Sequence, residues 1–256
     1  MSRFAGKVGL VTGGSEGIGL AIAARLVAEG AHVYICGRRA EALSLAAESL
    51  GEGVVTRQLD VLDSVGLRDL VDEIQQAHGH FDFLVNNAMT VGWGPVSDTD
   101  LDTFRQDFQV NVDAAFVSTR TALVHMVAQG AGAILNIASI NGLLALDNMA
   151  AYSASKAALI HFSKSAAMEC AAAGVRINCI APGVIATPST NEALGGIPGY
   201  TEAVAGGVPM NRLGDPAEVA AAAAFLLSDE ASYITAVCLS VDGGKASQLV
   251  VPPPPA

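Results

Sequence analysis

"KVGLVTGGSEGIGLAIAARLVAEG", Lys7 to Gly30, decides how the rest of the chain is read. Lys7 to Gly13 is a short apolar run that stops at glycines, which suits a buried strand. Ile18 to Glu29 has helical spacing and ends at Gly30, a residue suited to closing a helix. Gly13, Gly17 and Gly19 lie between the two, spaced Gly-x-x-x-Gly-x-Gly. Glycines at such a turn let backbone approach a pyrophosphate at a helix N-terminus. A plain tight turn is the alternative, but strand before and helix after favour a nucleotide.

The same alternation continues outward. "HVYIC" (His32 to Cys36) and a helix over Ala40 to Leu50 follow, then "VVTRQLD", a helix over Val65 to Ala77, and "FDFLVNN". Helices between Asp98 and Ala128 precede "AILNIAS", and Met149 to Ala172 precedes "VRINCIAP". A helix over Pro216 to Leu227 and "AVCLSVDGG" complete the series. Seven nearly continuous apolar strands alternating with helices predict an α/β fold, a doubly wound parallel sheet covered on both faces. No linker or repeat divides residues 1–256, so one domain is expected. Residues 189–210, glycine-rich and aperiodic after the sixth strand, read as a substrate lid or an irregular loop. The tail, residues 246–256, ends in "VVPPPPA", which cannot pair as a central strand.

Of the 256 residues, 51% are apolar and 15% charged, enough for a sizeable core. The net charge of −11 argues against nucleic acid and anionic membranes as partners. Cys36, Cys170, Cys179 and Cys238 stand far apart in apolar settings, so they read as reduced core residues and no metal site is expected. The N-terminal apolar run is too short for a signal peptide, and a cytoplasmic address is expected.

The end of the second strand bears on which nucleotide binds. A carboxylate there takes the ribose 2′-hydroxyl, whereas arginine accommodates a 2′-phosphate. The chain has Gly37, Arg38 and Arg39, which favours NADP. Glu16 in the glycine turn points toward NAD, which stays possible. Further on, "AAYSASKAAL" sets Tyr152 and Lys156 four apart, on one helix face.

Together these motifs resemble the short-chain dehydrogenase/reductase superfamily, over about Lys7 to Gly244, and so a Rossmann-like fold. "TGGSEGIG" resembles its cofactor loop, "LDV" its adenine segment, "NNA" its fourth-strand motif, and "VNV" supplies Asn111. "NIAS" ends in Ser139, "YSASK" carries Tyr152 and Lys156, and "PGVIATP" carries Pro182, Gly183, Ile185 and Thr187. The resemblance implies a cofactor site from Gly13, Ser15, Glu16, Gly17, Ile18, Gly19, Gly37, Arg38 and Arg39. Asp60, Val61, Asn87, Ala88, Tyr152 and Lys156 extend it, with Pro182, Gly183, Ile185 and Thr187 around the nicotinamide.

It also implies hydride transfer between nicotinamide and a carbonyl or alcohol carbon, with Tyr152 as the acid/base. A phenol near pKa 10 needs help at neutral pH, and the Lys156 ammonium is expected to lower it. Ser139 is expected to steady the substrate oxygen, and Asn111 to hold a water linking Lys156 to solvent. Where the family usually has glycine after "NNA", this chain has Met89. A large side chain there is expected to narrow the site.

Trp93, Ile140, Asn141 and Met149 are the candidate substrate positions. Ser189 to Asn211 contains no lysine or arginine, so an uncharged ketone or secondary alcohol is expected. The alternative is a 3-oxoacyl-[acyl-carrier-protein] reductase, whose acidic partner calls for a basic patch, for which Arg105, Arg120 and Arg176 gathered on one face are the candidates. A non-catalytic cofactor-binding sensor or scaffold is the remaining reading, opposed by the full set of Ser139, Tyr152 and Lys156. Apolar or small residues surround much of Asp107–Ala128 and Met149–Ala172, so both are expected to be buried, and the resemblance implies that they pack across a subunit interface in a homotetramer or homodimer.

Overall fold

A computed structural model describes residues 2–249. β1 (Val8–Thr12) is buried along its whole length, followed by α1 (Gly17–Ala28) and β2 (His32–Gly37). The first half continues through α2 (Ala40–Leu50), β3 (Val54–Gln58), α3 (Ser64–His78) and β4 (Phe83–Asn86). The second half runs α4 (Leu101–Phe108), α5 (Ala114–Gln129), β5 (Gly132–Ile137), α6 (Ala150–Cys170) and β6 (Val175–Pro182). It ends with α7 (Pro188–Gly195), α8 (Tyr200–Gly206), α9 (Pro216–Leu227) and β7 (Cys238–Val241).

The seven strands lie in the order β3-β2-β1-β4-β5-β6-β7, and every pairing is parallel. Alternate strand residues feed separate cores. Val11, Val33 and Ile35 pack with α1, α2 and α9 on one face. Leu10, Tyr34 and Cys36 pack with α3, α5 and α6 on the other. This double burial is why the strands read as continuous apolar runs. The winding reverses between β1 and β4, so their carboxyl ends open a crevice, the place where such sheets take ligands.

Two segments differ from the sequence expectation. Residues 189–210 contain two short helices, α7 and α8, where an aperiodic loop is expected. Thr187 caps α7, accepting from Thr190 N at 3.2 Å, and Pro188 takes the first helical position. Between Asp98 and Ala128 a π turn, Gln109–Asp113, separates α4 from α5 and carries Asn111. The seven-residue tail Val250–Ala256 lies outside the described residues. Among the described residues no helix is long and apolar enough to cross a membrane.

Candidate active site

The glycine turn is held in shape by the end of β4. Gly13 and Gly17 adopt φ of +62° and +55°, which other residues rarely tolerate. Asn87 Nδ2 donates to Thr12 O and Gly13 O, both at 3.0 Å. A Cβ at Gly19 would meet Gly13 O at 2.3 Å and Asn87 Nδ2 at 2.4 Å, so the close approach admits only glycine. No side chain caps the start of α1. Its first amides therefore face the crevice with donors to offer.

Two cavities meet at this turn. The first, about 220 Å³, is lined by Gly13, Ser15, Gly37, Arg38, Asp60 and Val61. A Cβ at Gly37 would meet nothing closer than Ser15 Oγ at 3.4 Å, so this wall is open. Arg39 Nη2 lies 2.5 Å from the Glu16 carboxylate. That pairing offsets the charge expected to turn the site toward NAD, while no ion pair engages Arg38 among the described residues. Asp60 Oδ1 accepts from Leu62 N at 3.1 Å and so holds its own turn.

The second cavity, about 400 Å³, contains Ser139, Tyr152 and Lys156, with Glu16, Gly17 and Ile18 at one end and Thr187 at the rim. Ala88 and Met89 line both cavities and join them. Ser139, just past β5, accepts from Asn141 N at 3.1 Å, which leaves its O–H to donate into the cavity. Tyr152 and Lys156 share one face of α6, and Lys156 Nζ stands 5.7 Å from the phenol ring centroid. Lys156 is only 2% exposed and donates to Ile137 O at 2.8 Å.

Burial sets the protonation of both groups. It pushes the Tyr152 phenol above its ordinary value; Ser139 opposes the shift and the Asp107 charge adds to it. This corrects the expectation that Lys156 draws the phenol down: in this structure desolvation wins. Lys156 itself is lowered to about 8 by burial, against the charges of Cys179 and Asp107, and stays mostly cationic at neutral pH.

The family model described as enoyl-(acyl carrier protein) reductase matches residues 13–246. The NADP-dependent (R)-specific alcohol dehydrogenase of Lentilactobacillus kefiri is 39% identical over 251 residues, covering 96% of this chain and 99% of that protein. A cyclopentanol dehydrogenase of Comamonas testosteroni is 38% identical over 252 residues, covering 95% and 98%. A solved structure titled short chain dehydrogenase/reductase family protein superposes with a TM-score of 0.89 at 37% identity, covering 96% and 100%. The chain belongs to the short-chain dehydrogenase/reductase family. As a short-chain dehydrogenase/reductase it is an oxidoreductase acting on alcohol or ketone groups with a nicotinamide cofactor.

The two joined cavities fit that cofactor: a cradle that a Cβ would fill, bare helix amides, and an open wall beside Arg38. Ile140, Asn141 and Met149 reach the second cavity, as do Pro182, Gly183 and Ile185. Trp93 does not; it is 65% exposed and outside both cavities, because the loop carries it toward solvent. Asn111 has its side-chain amide committed to protein partners. Its Oδ1 accepts from Thr90 N at 3.0 Å, and its Nδ2 donates to Thr90 O and Ser155 Oγ, so the side chain is fully engaged in tying loop to helix. The Thr187 hydroxyl is likewise occupied in capping α7.

Sequence reading missed Val91, Leu146 and Val184 in the cavity wall, whereas Thr190 falls in the segment read as a lid. Only their nearness to strand ends signals them. It also missed a buried polar network in which Asn86 Nδ2 donates to Thr119 and Asn136, and Asn136 Nδ2 to Ser163. The network fixes β4 and β5 against α5 and α6. No basic patch forms from Arg105, Arg120 and Arg176. Arg176 sits at the amino end of β6, opposite the crevice, binding the carbonyls of Leu226, Leu227 and Ser228.

Proposed function

We propose that this enzyme interconverts uncharged ketones and secondary alcohols, that it prefers NADP, and that Tyr152 exchanges the proton. The observation that carries the reading is the company Tyr152 keeps. It faces an apolar cavity with the Ser139 hydroxyl free to donate, and Lys156, the cavity's only cation, is already bound to Ile137 O. A carboxylate or phosphate substrate would find no counter-charge there. The relatives named for (R)-specific alcohols and cyclopentanol support the same class.

Gly13, Ser15, Gly17, Ile18, Gly19, Asn87 and Ala88 would hold the cofactor's middle, with Asp60 and Val61 toward adenine. Arg38, beside open Gly37, would take a 2′-phosphate. When bound, nicotinamide supplies or accepts the hydride. Tyr152, kept neutral by burial, donates a proton to the carbonyl oxygen as the alcohol forms. Ser139 donates a hydrogen bond to that oxygen and stabilises its developing charge. Lys156 places a positive charge behind the phenol and favours the phenolate once the proton has left. A cavity of about 10 Å³ beside Asn111 and Lys156 is near the smallest that seats one water, which supports a proton route to solvent.

The exposed apolar side chains Phe116, Val124, Val127 and Met168 on α5 and α6 support a homotetramer or homodimer. Sedimentation showing only a 26.0 kDa monomer would reject that part. Initial rates with NADPH and NADH, across uncharged ketones, keto acids and acyl thioesters, test the rest. Faster turnover of ketones with NADPH supports the proposal, whereas a preference for keto acids or thioesters overturns it.

A further inference from the structure

One side chain in the catalytic wall has a backbone that cannot retreat. Ala88 N donates to Thr12 Oγ1 at 3.1 Å. Thr90 is held through both its N–H and its carbonyl by Asn111, each at 3.0 Å. Two residues further, Gly92 N donates to both oxygens of Asp107, at 3.0 and 2.9 Å. Thr12, Asn111 and Asp107 are all buried. Met89 lies between these clamps, and its Sδ is 3.9 Å from the Tyr152 hydroxyl, within reach of a weak O–H···S contact.

We infer that Met89 determines specificity by limiting the substituent a ketone can carry on the side of Tyr152 nearest the 88–92 loop. This rests on the reading of the cavity as a ketone site. A ketone oxygen bound at Tyr152 and Ser139 sends its two substituents to opposite sides. On this reading one side meets Ile140, Leu146 and Met149, which line the same cavity. The other shares its space with the Met89 side chain. A methyl group fits against the thioether, but a longer chain has to displace it. Accommodation falls to the half-exposed methionine side chain, which has to turn aside, because the backbone on either side is tied to buried groups. The enzyme therefore favours ketones with one small and one large substituent.

The test compares 2-octanone with 4-octanone, two isomers of equal composition, with NADPH as reductant. The wild type is expected to have the higher kcat/KM for 2-octanone. Met89→Ala is expected to move the kcat/KM ratio toward 4-octanone by roughly tenfold or more, the scale of a few methylenes in an apolar pocket. Met89→Leu, of similar bulk, is expected to keep the wild-type ratio. The ratio is internal to each preparation, so partial loss of folded protein cancels. A ratio that Met89→Ala leaves unmoved, with both ketones turned over, overturns this inference alone. A wild type that reduces neither ketone overturns the ketone reading and this inference with it.

Discussion

Arg39 reaches across the mouth of the glycine turn to Glu16, its Nη2 2.5 Å from the carboxylate. Both side chains are well exposed, so the pair adds little to stability. Its consequence is electrostatic: the acid that would repel a 2′-phosphate is bound to a base. Glu16→Gln is expected to release Arg39 and raise kcat/KM for NADPH severalfold, with little change for NADH. A collapse of NADH turnover instead would mean that Glu16 binds the ribose directly.

Gly37 gives a second handle on the same choice. The space its Cβ would fill is open, so Gly37→Asp fits without displacing backbone. A carboxylate there can bond the ribose hydroxyls of NADH and repels a 2′-phosphate. The NADPH/NADH ratio of kcat/KM is expected to fall by at least tenfold. Equal loss with both cofactors would show that Gly37 matters only for packing.

Tyr152→Phe separates catalysis from cofactor binding. The lost hydroxyl has only the Met89 thioether, at 3.9 Å, and Ser139 as hydrogen-bonding neighbours among the described residues, so folding is expected to survive. Turnover should fall by roughly 10²–10⁴-fold, the usual contribution of a positioned acid/base. NADPH affinity, followed by fluorescence titration, is expected to change far less. Unchanged turnover would return the chain to the sensor or scaffold reading.

The parts legible in sequence are those that repeat locally. Val8 to Thr12 reads as a strand because both its faces are buried, and Tyr152 and Lys156 read as a pair because helical spacing stacks them. The remainder depends on distant partners. Asp107 looks like an ordinary polar helix residue, yet it is buried and holds Gly92 N from another loop. The π turn carries Asn111, whose side chain is bonded to Thr90 and Ser155, neither adjacent in sequence. Trp93 reads as a pocket aromatic, but only the path of the loop decides that it faces solvent. The depth of Tyr152 and Lys156 is equally invisible in the chain, and it reverses the expected shift of the phenol.

That depth makes Lys156 a probe of stability. Its folded pKa, about 8, lies below its ordinary 10.5, so the folded state holds the proton less tightly than the unfolded state. Folding therefore carries a penalty below about pH 8, and the penalty fades as pH rises toward 10.5 and the unfolded chain also loses its proton. Lys156→Met removes the charge and leaves a side chain of similar length. It also removes the bond to Ile137 O, a loss that applies at every pH. The stability of the variant minus that of wild type is thus expected to fall by on the order of 2–3 kcal/mol between pH 7 and pH 10. Urea unfolding at the two pH values measures it; a difference that does not change with pH would mean that Lys156 titrates alike in the folded and unfolded states.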